Sequence, residues 1–112
     1  MRRPEQALQI ACVNWFAYQY AHQAGRLYMN YNNPPNAQTG GILKAMGLSA
    51  GIADLSYLID GGRIVFIELK SAAGKQSANQ KAFEERVTEL GAPYYIVRDI
   101  YEFMGLINSY NQ

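Results

Sequence analysis

Residues 53–70 constrain the fold more than any other stretch of this chain. Two apolar runs, Ala53 to Ile59 and Arg63 to Lys70, flank Asp60-Gly61-Gly62. Such runs around an Asp-Gly-Gly turn predict a β-hairpin, because glycine reaches the positive φ that tight hairpin turns demand. Two registers fit. A three-residue loop pairs Ile59 with Arg63 and, counted outward, sets Asp54 opposite Glu68. A two-residue Asp-Gly loop sets Asp54 opposite Ile67 and turns it to the other face. The first is the expectation, since it makes chemical sense of the charges. Facing residues on one side of a sheet have Cβ atoms about 4.5–5.5 Å apart, close enough for two carboxylates to share a divalent cation. Glu68 and Lys70 share a face in either register, because strand side chains alternate.

The rest of the chain supplies partners for that hairpin. Pro4 suits a first helical turn, and Leu8, Cys12, Trp15, Phe16 and Tyr20 recur at helical spacing, which predicts a helix over about 4–23 closed by Gly25. Glu5 begins the stripe Glu5, Leu8, Cys12, Phe16 and so faces the sheet. Leu27 to Tyr31 reads as a short strand, the turn-forming run Asn32 to Gly41 as a mobile loop, and Ile42 to Met46 as a short helical turn ended by Gly47. Ser77-Ala-Asn-Gln80 fits a capping box opening a helix whose stripe is Phe83, Val87 and Leu90, stopped by Gly91 and Pro93. Tyr94 to Arg98 reads as a strand, and Asp99 with Glu102 opens a last helix carrying Phe103, Leu106, Ile107 and Tyr110. The fold class that follows is α/β in the order α-β-β-β-α-β-α, with a small mixed sheet flanked by helices and a crossover helix ahead of a parallel strand.

At 112 residues and 49% hydrophobic content the chain supports one core, and residues 1–112 are read as a single domain. Its longest apolar runs fall far short of the roughly 20 residues that span a bilayer. No signal peptide or lipid anchor is visible, and the one cysteine, Cys12, sits in an apolar helical pattern as a buried thiol. A cytoplasmic location without a membrane partner is the expectation. Ten Lys and Arg stand against nine Asp and Glu, a weak balance for a nucleic-acid binder. Once Asp54, Glu68 and Glu5 are set aside as ligands, six acidic residues remain against the ten, a mild basicity compatible with a small nuclease.

Gly47-Leu-Ser-Ala-Gly51-Ile-Ala-Asp54, then Glu68-Leu69-Lys70, then Ser77-Ala-Asn-Gln80, with Glu5 in the first helix, resembles the virus-type replication-repair nuclease (VRR-NUC) domain of the PD-(D/E)XK superfamily. The likeness covers nearly the whole chain. Ala53 departs from it, standing where the superfamily often has a proline that shapes the backbone and carries no chemistry. The resemblance implies a restriction-endonuclease-like core and a divalent-metal-dependent DNA endonuclease. For a stand-alone domain of this size it further implies a phage or bacterial homodimer acting on branched DNA such as four-way junctions.

Phosphodiester hydrolysis needs an activated water and a stabilised, charge-rich transition state. Hard cations such as Mg²⁺ or Mn²⁺ take oxygen ligands, which Asp54, Glu68 and the backbone carbonyl of Leu69 can provide. Glu5 would extend that shell directly or through water. Lys70 would orient the water, accept its proton or stabilise the phosphate, and Gln80, on the Phe83 stripe, would bind Lys70 or the water. Tyr31, Lys44, Lys75 and Lys81 are candidate DNA contacts. Nine tyrosines, and Tyr101, Phe103, Met104 and Tyr110 in the last helix, offer apolar surface for self-association.

Plainer roles stand beside these. Glu68 and Lys70 can form a surface cross-strand ion pair, Asp54 a solvent-facing residue at a strand edge, Glu5 a partner of the helix dipole, Gln80 the capping-box partner of Ser77, and His22 a surface or satisfied histidine rather than a ligand. Gly47 and Gly51 read as backbone hinges that let Asp54 approach rather than as substrate contacts. Three functions are therefore expected in this order: a structure-selective nuclease resolving four-way junctions, a general or restriction-like nuclease acting on duplex or flaps, and a DNA-binding or assembly module without catalysis.

Overall fold

The Asp60-Gly61-Gly62 turn forms as a hairpin loop, with Gly61 and Gly62 at φ of 84° and 74°. It joins β2 (Leu55–Ile59) to β3 (Arg63–Leu69) in the three-residue register, Ile59 facing Arg63 and Leu55 facing Ile67. The computed structural model describes residues 3–31 and 36–112. Its other elements are α1 (Arg3–Gln19), a 3₁₀ turn at Ala21–Gln23, β1 (Leu27–Met29), α2 (Ala37–Ala45), α3 (Ala78–Glu89), β4 (Tyr94–Val97) and α4 (Ile100–Ser109). One mixed sheet results, in the order β1-β2-β3-β4, antiparallel at the first two junctions and parallel between β3 and β4. The crossover through α3 makes that parallel pairing possible.

The two faces of the sheet are divided by residue parity. Leu55, Tyr57 and Ile59 on β2, Val65, Ile67 and Leu69 on β3, and Val97 on β4 turn to one side, where Cys12 and Phe16 of α1 and Phe103 and Ile107 of α4 complete the core. Phe16 meets Tyr57 edge-on at 5.5 Å, and Trp15 meets Phe103 at 6.0 Å. Each large side chain so buried contributes about 1.5–3 kcal/mol relative to exposure. The opposite face carries Phe66 and Tyr94 under Phe83 of α3, and it also carries Glu68. At the far end of the core, Tyr57 donates to Gln23 Oε1 at 2.6 Å, and Asn111 donates to the Tyr57 hydroxyl at 3.0 Å. The Gln23 amide reaches Asn111 Oδ1 at 2.7 Å, so the buried Tyr57 hydroxyl and Gln23 amide are both bonded, with the exposed Asn111 closing the triad.

Several sequence expectations are corrected. The predicted loop over 32–41 is helix from Ala37 onward: Asn36 accepts the Thr39 N–H at 2.8 Å, an N-cap whose local geometry outweighs the turn-forming composition that follows it. Asn32 to Pro35 lie outside the described residues. Helix α2 therefore begins five residues before the predicted turn at Ile42, and it buries no side chain. Helix α1 ends at Gln19 rather than 23, the last stretch tightening into the 3₁₀ turn. Strand β1 ends two residues, and β3 and β4 one residue, before their predicted ends, and β2 begins two residues after its predicted start. Leu90, expected on the buried stripe of α3, is exposed, because the helix ends at Glu89 and Leu90 is its C-cap beyond the sheet. Phe103 belongs to the core and so offers no surface for association, whereas Tyr101 is exposed. Among the described residues no helix is long and apolar enough to cross a membrane.

Candidate functional site

One residue beyond the pairs Met29–Leu55 and Leu55–Ile67, Asn30, Asp54 and Glu68 stand in one row across β1, β2 and β3. Asp54 thus faces Glu68, as the three-residue loop requires. Asp54 Oδ2 accepts the backbone N–H of Leu69 at 2.7 Å, a charge-assisted bond that ties it to the strand bearing Glu68. From the other side Asn30 grips the approach to Asp54. Its N–H donates to the Asp54 carbonyl at 2.9 Å, and its amide donates to the Ala53 carbonyl and to Ser56 Oγ, each at 2.9 Å. Gly51 permits the path into this row. At φ of 75° it lies so close to α3 that a Cβ there would stand 2.2 Å from the Asn79 carbonyl oxygen. Gly47 is also left-handed, at φ of 109°, and ends the α2 turn by donating to the Lys44 carbonyl at 3.0 Å.

Glu68 is fully buried, and Asp54 and Lys70 nearly so. Lys70 Nζ stands 3.9 Å from Glu68 Oε2, and the strand end is held by Lys70 N–H donating to the Val97 carbonyl at 3.0 Å. Glu68 Oε1 receives the Tyr94 hydroxyl, and Gln76 Nε2 lies 3.5 Å from it while donating to Glu84 Oε1 at 3.0 Å. Oε2 is buried and has no hydrogen-bond partner. Burial pushes the Glu68 carboxyl above its ordinary value; the bonds from Tyr94 and Gln76 and the Lys70 charge oppose that rise, and the Asp54 charge adds to it. Burial, reinforced by the bond to Glu68, holds the Tyr94 phenol well above the usual phenol range, so it remains a donor.

Glu5 is buried at the start of α1, and its Oε2 accepts the Ser71 N–H at 3.3 Å. The turn after Lys70 is clasped from its other side by Arg98, whose Nη1 donates to the carbonyls of Ser71 and Gly74 at 2.8 Å each. Glu5 thus adjoins the Lys70 turn, while among the described residues no group of three His, Cys, Asp or Glu side chains converges on one point. What the row presents to a ligand is a pair of carboxylates, with Glu68 Oε2 buried and making no hydrogen bond, an all-oxygen donor set of the kind that hard divalent cations accept.

Gln80 is committed elsewhere. Its Oε1 accepts the Ser77 N–H at 2.8 Å and its own N–H donates to Ser77 Oγ at 3.2 Å, the reciprocal capping box. Gln76, four residues earlier, is the amide that reaches the carboxylate. Tyr31, Lys44, Lys75 and Lys81 are all exposed, as is His22. Sequence reasoning missed Gln76, Tyr94, Asn30 and Gln9. Tyr94 depends on the β3–β4 register, which the sequence does not state. Gln9 carried a signal: it sits one helical turn after Glu5, is buried on the same stripe, and its Oε1 has no partner.

The four-stranded mixed sheet with flanking helices has the fold of the VRR_NUC domain. One solved structure, a "VRR_NUC domain protein", matches with a TM-score of 0.77 over 98% of this chain and 89% of its own, at 21% identity. A second, a "VRR_NUC domain", matches with a TM-score of 0.63 over 97% of this chain and 99% of its own, at 19% identity. No protein-family model matches the chain, and no curated protein matches it significantly. The fold implied by the sequence resemblance is thus the fold found.

Proposed function

We propose that this chain is a VRR-NUC-type DNA endonuclease that depends on Mg²⁺ or Mn²⁺ and acts on branched DNA as a homodimer. The observation that carries the reading is the row of Asp54 and Glu68 with Lys70 beside it: buried carboxylates facing each other, with Glu68 Oε2 making no hydrogen bond and standing 3.9 Å from Lys70 Nζ. Burying such charge is costly, and a hydrophobic pair would serve stability better, so the arrangement fits a role in chemistry. Asp54 and Glu68 would hold the cation, with the Leu69 carbonyl as a further oxygen and Glu5 reaching it through water. The ion, when bound there, supplies positive charge against the phosphoryl oxygens and makes water more acidic. Lys70, fixed at the end of β3, would orient the attacking water or meet the charge that develops on phosphate. The clasp of Glu5 and Arg98 on the Ser71–Gly74 turn would keep Lys70 from withdrawing.

Tyr31, Lys44, Lys75 and Lys81 would take the DNA backbone, consistent with their exposure. A homodimer supplies two sites related by symmetry, as paired cuts across a four-way junction require. The test incubates the protein with labelled four-way junction, flap and linear duplex in Mg²⁺, in Mn²⁺ or in EDTA, beside Lys70→Ala. Junction cleavage lost in EDTA and in the variant is the expected result. Cleavage that survives either one refutes the mechanism, and equal cutting of duplex and junction reassigns the protein as a general nuclease.

A further inference from the structure

Glu68 is held by one oxygen and offered by the other. Tyr94 lies on β4 two residues before Ile96, the parallel partner of Glu68, so its ring rises on the carboxylate's face of the sheet. That ring is braced: Phe83 stands 6.2 Å from it and itself meets Phe66 edge-on at 5.1 Å. A tyrosine packed in this way carries its hydroxyl at a fixed point, and that point is Glu68 Oε1. Gln76 adds a weaker contact to the same oxygen, anchored by its shorter bond to Glu84. The terminal torsion of a glutamate is broad and roughly two-fold, so a carboxylate without such holders has no preferred oxygen. With Oε1 taken, only Oε2 remains, buried, without a hydrogen bond and 3.9 Å from Lys70 Nζ.

We propose that Tyr94, seconded by Gln76, is the positioning residue of the site: by saturating Oε1 it makes Glu68 a one-oxygen ligand that presents Oε2 to the cation. The inference rests on the metal-dependent reading above. Neither residue touches substrate or ion; both act through Glu68, as residues bonded to a metal ligand commonly do.

The measurement is Mn²⁺ binding by calorimetry, without DNA, on the wild-type chain, Tyr94→Phe and Gln76→Leu, each with its thermal midpoint. Tyr94→Phe keeps the ring and its packing and removes only the donor. Its affinity for Mn²⁺ is expected to fall about 10- to 100-fold, the range found when a ligand's supporting bond is lost, and its midpoint to fall by several degrees, since a buried carboxylate oxygen loses its donor. A purely structural tyrosine would lower the midpoint and leave the affinity of the folded protein unchanged. Wild-type binding with Tyr94→Phe within twofold of it overturns the positioning role and leaves the nuclease reading intact. Absence of Mn²⁺ binding by the wild type overturns both. Should Tyr94→Phe fail to fold, Gln76→Leu decides: roughly tenfold weaker binding supports the assignment, and unchanged binding overturns it.

Discussion

Replacing Gly51 with alanine tests whether close apposition of the 47–54 segment and α3 delivers Asp54 to its place. The added Cβ would stand 2.2 Å from the Asn79 carbonyl oxygen, 2.3 Å from its carbon and 2.6 Å from the Gln80 nitrogen. Ordinary contact begins at 3.4 Å, so the segments must part by the difference between 3.4 and 2.2 Å, about 1.2 Å. All three atoms are backbone in the first turn of α3, which the capping box fixes, so no side-chain rotation relieves them. The left-handed φ of 75° adds a penalty of about 1–2 kcal/mol for a residue with a Cβ. Overpacking adds roughly 1–3 kcal/mol more. Gly61→Ala is the matched control, with a φ of 84° and nothing within 4 Å of its Cβ. In thermal unfolding followed by circular dichroism, about 4 °C per kcal/mol is expected for a domain of this size. Gly51→Ala should therefore melt roughly 4–12 °C below Gly61→Ala, the overpacking term alone separating them. Under the proposed function its cleavage rate should also fall, on the order of 100-fold for a misplacement near 1 Å. Equal melting of the two variants would refute the contact, and a displaced loop with undiminished cleavage would refute its link to Asp54.

Glu68→Gln should abolish cleavage yet make the metal-free protein less sensitive to rising pH. The folded carboxyl keeps its proton above the ordinary value of 4.5, so the folded state binds more protons than the unfolded one across that window, and wild-type stability falls as pH rises through it. The glutamine has no proton to lose. Melting in EDTA from pH 4.5 upward should show the gap moving in the variant's favour, and a flat or opposite trend would contradict the burial of charge at Glu68. Cys12, fully buried and pushed to about 12, should be silent to a disulfide reagent at pH 8 until the protein unfolds. Reaction of the native protein within seconds would mean that α1 is not packed as described.

How far the sequence foretold the site varies with the range of the interaction involved. The hairpin was legible because its turn and its carboxylates lie within 18 residues; turn chemistry allowed two registers, and the charges favoured the one that forms, Ile59 facing Arg63. The caps at Ser77 and Asp99 were legible for the same reason, each being a bond across three residues. Gln80 had two local readings, and the structure shows the capping box. Helical phase turned it inward, but a residue at that position which closes a capping box spends its amide oxygen on the backbone. Tyr94 was hidden because it meets Glu68 only after α3 has crossed over and β4 has docked beside β3, and Gln76 because it sits in the irregular turn ahead of α3, where no periodicity fixes its direction. Composition points the wrong way at 36–41, where the glycine and threonine that suggest a loop follow a good N-cap and form helix.

Helix α2 buries no side chain, and a nine-residue helix is marginal in water on its own. Its stability therefore draws on its cap and its own hydrogen bonds, and little on the cooperative core of the sheet. In hydrogen-exchange terms the amides of 40–46 belong to a separate, shallow unit, opening and closing many times for each global unfolding event. A ligand lying against Lys44 would meet an element whose order it can itself raise, so protection in this one segment would report occupancy while the rest of the domain stayed silent.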